Sequence, residues 1–289
     1  MDHLASARAR PAPRRGDLAD PGDARPAGTG ALDVRRCLRR RRPPLWPGRP
    51  ARARIGLCLL PQTIAIDGPA AAGKSTVGAW LARRLGYRYL DTGVLYRATA
   101  WLAQTAGVAP DDEPAIVRLL ATASLRLEPG AGELPFRLFL HGEEVGAALF
   151  RPEVEAVVAV VAALPGVRAA LQPRQRALAR SGPCVVVGRD IGTVILPEAD
   201  LKIFLTATLA TRARRRAAQW RARGIAVDDE AVRTDLQRRD RLETERAVAP
   251  LRPAPDALVV WTDHLSEEAT CRLVLALVAS AGGWHRMGC

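Results

Sequence analysis

The chain has 289 residues, with 43 Lys and Arg against 30 Asp and Glu, a formal net charge of +13, and 48% hydrophobic but only 4% aromatic residues. That length and aliphatic content suit one or two globular domains, and the longest apolar runs, such as 157–164, fall far short of the ~20 residues that a membrane span requires. The five cysteines (Cys37, Cys58, Cys184, Cys271, Cys289) are scattered, with no C-x2-C pair, which excludes a disulfide framework or a zinc site and fits reduced thiols of a cytoplasmic protein.

Residues 1–60 hold 14 Arg against 5 Asp, +9 of the +13, among many Pro, Gly and Ala and without a sustained period. They read as a disordered extension, and the remainder as one folded domain over 61–289. The charge alone would suggest a nucleic-acid partner, but it is concentrated outside the folded part. Apart from Trp46, no aromatic spacing accompanies these arginines, so an RNA-binding arm is the weaker reading.

Residues 63–76, Thr-Ile-Ala-Ile-Asp-Gly-Pro-Ala-Ala-Ala-Gly-Lys-Ser-Thr, predict a short β-branched strand, a Gly68-x4-Gly73-Lys74-Ser75 loop and a helix. This is a phosphate-binding loop in the context that confirms one. Backbone N–H groups over Gly68, Pro69, Ala70, Ala71, Ala72, Gly73, Lys74, Ser75 and Thr76 can close around phosphate oxygens. Lys74 neutralises β- and γ-phosphate charge, and the Ser75 hydroxyl can ligate Mg²⁺. Only two lysines occur, Lys74 and Lys202, so a lysine between Gly73 and Ser75 is not a product of composition.

A second strand over Tyr87–Asp91 and an Arg97-bearing helix through Ala106 follow, and the alternation predicts a parallel sheet. Residues 111–165 break the rhythm with an acidic helix start, two strands around Leu125-x-Leu127 and Phe136–Leu140, and an Ala/Val helix from Pro152, read as a small insert. A helix over 166–180 carries Arg168. The strand Cys184–Val187 then runs into Gly188-Arg189-Asp190-Ile191-Gly192-Thr193, and strand Leu201–Leu205 into an Arg-loaded helix from Thr208. A helix from Asp228 and a strand-helix pair from Ala257 to Ala279, whose strand Leu258–Trp261 closes the core, complete the chain. A switch GTPase is disfavoured because no Asn-Lys-x-Asp occurs. A metabolic kinase needs arginines facing the loop to hold an acceptor phosphate in line, and Arg97, Arg189, Arg239 and Arg246 are the candidates. Each of the first two lies just past a predicted strand, where ligands bind in open α/β sheets.

The segments Ile66–Thr76, Leu90–Arg97 (Leu-Asp-Thr-Gly-Val-Leu-Tyr-Arg), Gly188–Val194 (Gly-Arg-Asp-Ile-Gly-Thr-Val), Ala199–Leu205 and Arg246–Leu251 together resemble bacterial cytidylate kinase over roughly 62–280, in the family's order. The resemblance implies an α/β fold with a P-loop parallel sheet flanked by helices, a nucleotide-binding insert over about 111–165 and a lid over about 208–225. It implies a monomer that uses ATP and Mg²⁺ to phosphorylate CMP or dCMP. By the same resemblance, Lys74, Arg97, Arg189 and Arg215 are catalytic and Ser75 holds the metal. Thr92, Arg97, Arg168, Arg189, Asp190, Arg239, Glu243 and Arg246 bind the acceptor, Arg168 and Asp190 at the cytosine edge. Another nucleoside monophosphate or small-molecule kinase of this fold is the alternative, and a non-catalytic nucleotide or RNA binder a further one.

The pattern departs from the family at four positions. Val187 stands where an acid is usual, which shifts metal support to Ser75 with Asp67 or Asp91 behind it. Ala159 replaces a serine facing the base, Phe150 an arginine, and Glu243 an aspartate.

Overall fold

The protein is described by a computed structural model over residues 60–130 and 136–284; apart from Leu60, the extension expected over 1–60 lies outside the described residues. The elements run β1 (Thr63–Asp67), α1 (Lys74–Leu85), β2 (Arg88–Asp91), α2 (Gly93–Thr105), α3 (Glu113–Thr122), β3 (Leu125–Pro129), β4 (Phe136–Leu140) and β5 (Glu143–Glu144). They continue with α4 (Pro152–Ala163), α5 (Pro165–Ala179), β6 (Cys184–Val187), β7 (Leu201–Thr206), α6 (Leu209–Ala222), α7 (Asp229–Glu245), β8 (Leu258–Trp261) and α8 (Glu267–Trp284).

Five strands form one sheet in the order β2-β6-β1-β7-β8, parallel throughout, with Ile64 opposite Val185 on one side and Leu201 on the other. The two central strands, Thr-Ile-Ala-Ile-Asp and Cys-Val-Val-Val, are runs without polar alternation because helices cover both their faces. On one face Ile64, Ile66, Val185 and Ile203 pack against Val77 and Leu81 of α1 and Val274 and Val278 of α8. On the other, Ala65, Leu90 and Val186 meet Ile191 and Ile195 of the π-helical turn Ile191–Ile195 and Leu196 just after it. Gly78 permits the first contact: a Cβ there would come within 2.5 Å of Val187 Cγ2. The strand expected to close the core, β8, is instead the sheet edge, where only Val260 of its four residues is buried.

The insert folds as a three-stranded antiparallel sheet, β3-β4-β5, with His141 and Gly142 at positive φ making the β4–β5 turn. Its core is shared: Leu138 and Leu140 of β4 pack with Leu95 of α2, Ile116 and Leu120 of α3, Val158 of α4 and Leu171 of α5. The chain bends by 94° between α4 and α5 at Leu164, whose extended conformation is what a residue preceding proline adopts. Among the described residues no single helix is long and apolar enough to cross a membrane. Side-chain caps fix the entries of α3 (Asp112 to Ala115 N, 3.0 Å), α6 (Thr208 to Thr211 N, 3.3 Å) and α7 (Asp228 to Glu230 N, 3.1 Å).

Candidate active site

The C-terminal ends of β1, β2 and β6 open into one cavity of about 840 Å³. The loop after β1 forms one wall because it can bend sharply: Gly68, Ala71 and Gly73 all hold positive φ. A Cβ on Gly68 would lie 1.9 Å from the Leu205 carbonyl oxygen of β7, so only glycine lets the loop leave the sheet here. Ala70, Ala71, Gly73, Lys74, Ser75 and Thr76 line the cavity, whereas Ala72 turns into the core.

Lys74 is buried, and its Nζ donates to the Pro69 carbonyl at 2.5 Å. Burial first, and then the nearby Arg189, push the Lys74 ammonium well below the usual lysine range. The Ser75 hydroxyl donates to Asp91 Oδ2 at 2.8 Å, and the other oxygen of Asp91 accepts from Gly93 N at 3.0 Å. Of the two acids expected near the metal, it is therefore Asp91 that meets Ser75.

Asp67 is committed elsewhere. Its carboxylate accepts from Ile191 N at 2.8 Å and Gly192 N at 2.7 Å, pinning the turn after β6 to the end of β1. Burial raises its pKa to about 6 against those two bonds. An acid whose folded pKa lies above its unfolded value contributes stability at low pH that is lost as pH rises through the folded pKa. We expect the stability difference between the unaltered chain and Asp67→Asn to shift toward the variant by up to ~3 kcal/mol between pH 4 and 7. Urea unfolding at several pH values checks this, and parallel curves would refute it.

The opposite wall is built from arginines. Arg189, past β6, gives its Nε to Glu243 Oε2 at 2.7 Å. Burial disfavours charge on both partners, but each outweighs that for the other: Glu243 sits below the usual carboxylate range and Arg189 above the usual arginine value. Arg168, on α5, pairs with Asp190, which Arg246 also approaches at 3.4 Å. Arg168 stands over the Tyr96 ring at 5.4 Å and Arg97 over Phe150 at 5.2 Å. Thr92 caps the start of α2, its hydroxyl donating to the Val187 carbonyl at 3.0 Å. The cavity thus gathers Thr92, Arg97, Arg168, Arg189 and Asp190, together with Arg239, Glu243 and Arg246 from α7 and its end. Phe150, Ala159 and Val187 add apolar lining.

Arg215 is not brought there. Its guanidinium donates to the Thr262 hydroxyl at 2.9 Å and the Thr262 carbonyl at 2.6 Å, tying α6 to the end of β8, while its neighbour Arg216 lines the cavity and lies 5.1 Å over the Trp220 ring. One residue along a helix turns a side chain by about 100°, and this step separates the two arginines. Arg212 is structural as well: it forms a two-point pair with Asp240 (3.0 and 2.6 Å) and reaches the Ala207 carbonyl at 2.9 Å. Lys202 pairs with Asp256 at 2.8 Å.

Glu155, on α4, was not anticipated. It is buried, and it accepts from Arg97 Nη2 at 2.8 Å, Arg216 Nη2 at 2.9 Å and Arg239 Nη1 at 2.9 Å. Burial opposes its charge, but the guanidiniums of Arg97, Arg239 and Arg216 outweigh this and hold the carboxyl far below its usual range. A glutamate four residues before a buried alanine, in a helix otherwise rich in Ala and Val, was the available signal.

Residues 64–280 match the protein-family model described as cytidylate kinase. A bifunctional pantoate ligase/cytidylate kinase of Synechococcus sp. (strain JA-3-3Ab) is 46% identical over 227 residues, 77% of this chain and 42% of that protein. A cytidylate kinase of Pelotomaculum thermopropionicum is 45% identical over 217 residues, 75% of this chain and 96% of that one. A cytidylate kinase of Geobacillus sp. (strain WCH70) is 45% identical over 216 residues, covering 74% and 95%. The chain therefore spans less than half of the bifunctional relative and nearly all of the other two.

Proposed function

The chain belongs to the cytidylate kinase family, and from that premise we propose that it transfers the γ-phosphoryl group of ATP to the phosphate of CMP or dCMP, yielding the diphosphate. The observation that carries this reading is the division of one cavity between a phosphate-binding loop and a facing set of arginines. The loop amides and Lys74 cradle the donor phosphates. Arg97, Arg189 and Arg239 take the acceptor phosphate, where guanidinium forks can bind its oxygens two at a time. The attacking group is an already ionised phosphate oxygen, so no general base is needed, and catalysis rests on alignment and charge.

The residues present fit magnesium. Among the described residues no group of three or more His, Cys, Asp or Glu could hold a metal alone, which suits an ion bound mainly by substrate phosphates, with the Ser75 hydroxyl and the Asp91 carboxylate beside it. When bound, it would neutralise charge between the β- and γ-phosphates.

Arg168 and Asp190 face the cytosine edge, the carboxylate accepting from the exocyclic amine and the guanidinium donating to O2 and N3. Glu243 lies at the sugar. With Ala159 in place of a hydroxyl, one hydrogen bond worth ~1 kcal/mol is lost, so base selectivity is relaxed several-fold while turnover persists. We read the protein as a cytoplasmic monomer acting on free nucleotides.

Steady-state assays with ATP, Mg²⁺ and CMP, dCMP, UMP or AMP test the proposal. CMP and dCMP are expected to give the highest kcat/KM. Faster turnover of UMP or AMP would overturn the base assignment in favour of another nucleoside monophosphate kinase, and the absence of ADP with every pyrimidine nucleotide would overturn the activity.

A further inference from the structure

We propose that Glu155 is a positioning residue that joins the lid helix α6 to the acceptor-phosphate arginines, so that donor binding tightens acceptor binding. The inference rests on the functional reading above and deepens it.

The carboxylate stands at the meeting of four helices. Glu155 Oε1 accepts from Nε and Nη2 of Arg97 on α2, at 2.9 and 2.8 Å. Its Oε2 accepts from Arg216 on α6 and Arg239 on α7, each at 2.9 Å. All three guanidiniums line the cavity and Glu155 does not, so the carboxylate lies behind them and leaves their other donors for a ligand. Each guanidinium carries five N–H groups. Arg239 is 4% exposed, and its Nε is buried without a hydrogen-bond partner.

Within this cluster one carboxylate faces three guanidiniums, a local excess of positive charge that suits a phosphate monoester dianion. The charge balance therefore prepares the site for an anion without filling it. The arrangement also makes Arg216, on the helix whose Ala213 and Ala217 pack on Ala70 of the phosphate-binding loop, share one counter-ion with the two acceptor arginines. Displacement of α6 moves Arg216 relative to Oε2, and the same oxygen orients Arg239. A change on one side is thereby felt on the other through a contiguous set of charge-assisted hydrogen bonds.

The test is linkage, measured on the full chain. The Kd for CMP is determined by calorimetry with Mg²⁺, with and without a non-hydrolysable ATP analogue, for the unaltered chain, Glu155→Gln and Arg216→Gln. Arg216→Gln removes only the lid arm and leaves Glu155 paired with Arg97 and Arg239, so it serves if Glu155→Gln fails to fold by thermal melting. The unaltered chain is expected to bind CMP about fivefold or more tightly with the analogue present. In either folded variant that factor falls close to one, while in Glu155→Gln, whose carboxylate does not line the cavity, the Kd of the analogue alone stays within about twofold. Loss of buried packing alone would weaken CMP without changing the factor. An unaltered factor in a folded variant, or no tightening in a chain that turns CMP over, would overturn the coupling and leave the kinase reading standing; a chain that neither binds nor phosphorylates CMP would overturn both.

Discussion

Lys74→Ala is expected to lower kcat by about a thousandfold or more, because it deletes the one cation in the phosphate-binding loop in a reaction whose catalysis is positioning and charge stabilisation. The same change is expected to leave the melting temperature equal or higher. Lys74 is buried with its ammonium disfavoured by desolvation and by Arg189, so the folded chain bears a cost that alanine removes. Weak nucleotide binding persists through the loop amides. Kinetics and differential scanning calorimetry on the same preparation check both halves. Near-normal turnover would show that the loop does not grip a triphosphate.

Arg189→Ala should reduce kcat/KM for CMP by about a thousandfold and also destabilise the protein, because it strands the buried carboxylate of Glu243, bonded at 2.7 Å to Arg189 Nε. Removing one partner of a buried pair costs ~3–5 kcal/mol. The two effects separate in a double-mutant cycle: Arg189→Ala with Glu243→Gln should regain most of the stability and none of the lost acceptor affinity. Arg189→Lys is not expected to rescue either, since an ammonium cannot reproduce the planar fork. If the double variant recovers CMP affinity, Arg189 acts only through the fold.

The phosphate-binding loop was legible from the chain because its chemistry is local: strand, glycines, lysine and helix follow one another within 63–85. Arg189 and Asp190 were legible for a similar reason, since a ligand site at the end of a buried strand is a property of parallel sheets. What sequence could not supply was pairing across distance. Asp67 and Asp91 both end strands and look equivalent, yet Asp91 meets Ser75 and Asp67 is consumed by the amides of residues 191 and 192. Arg215 and Arg216 are adjacent and identical in type, and only the orientation of α6 against β8 and α4 distinguishes them. Glu155 was missed because an acid in the first turn of a helix, beside Glu153, carries no motif; its three partners lie 58, 61 and 84 positions away. The edge position of β8 was likewise hidden, because Leu-Val-Val-Trp has the composition of an interior strand although only one of its residues is buried.

The stacking of Arg216 on Trp220 gives the protein a built-in optical probe. An indole held 5.1 Å from a guanidinium that also contacts Glu155 emits according to that neighbour's distance, so any ligand that draws Arg216 inward alters the intrinsic fluorescence. Rapid-mixing records of this single signal, with Trp220→Phe as the blank, would time the movement of α6 without an attached dye.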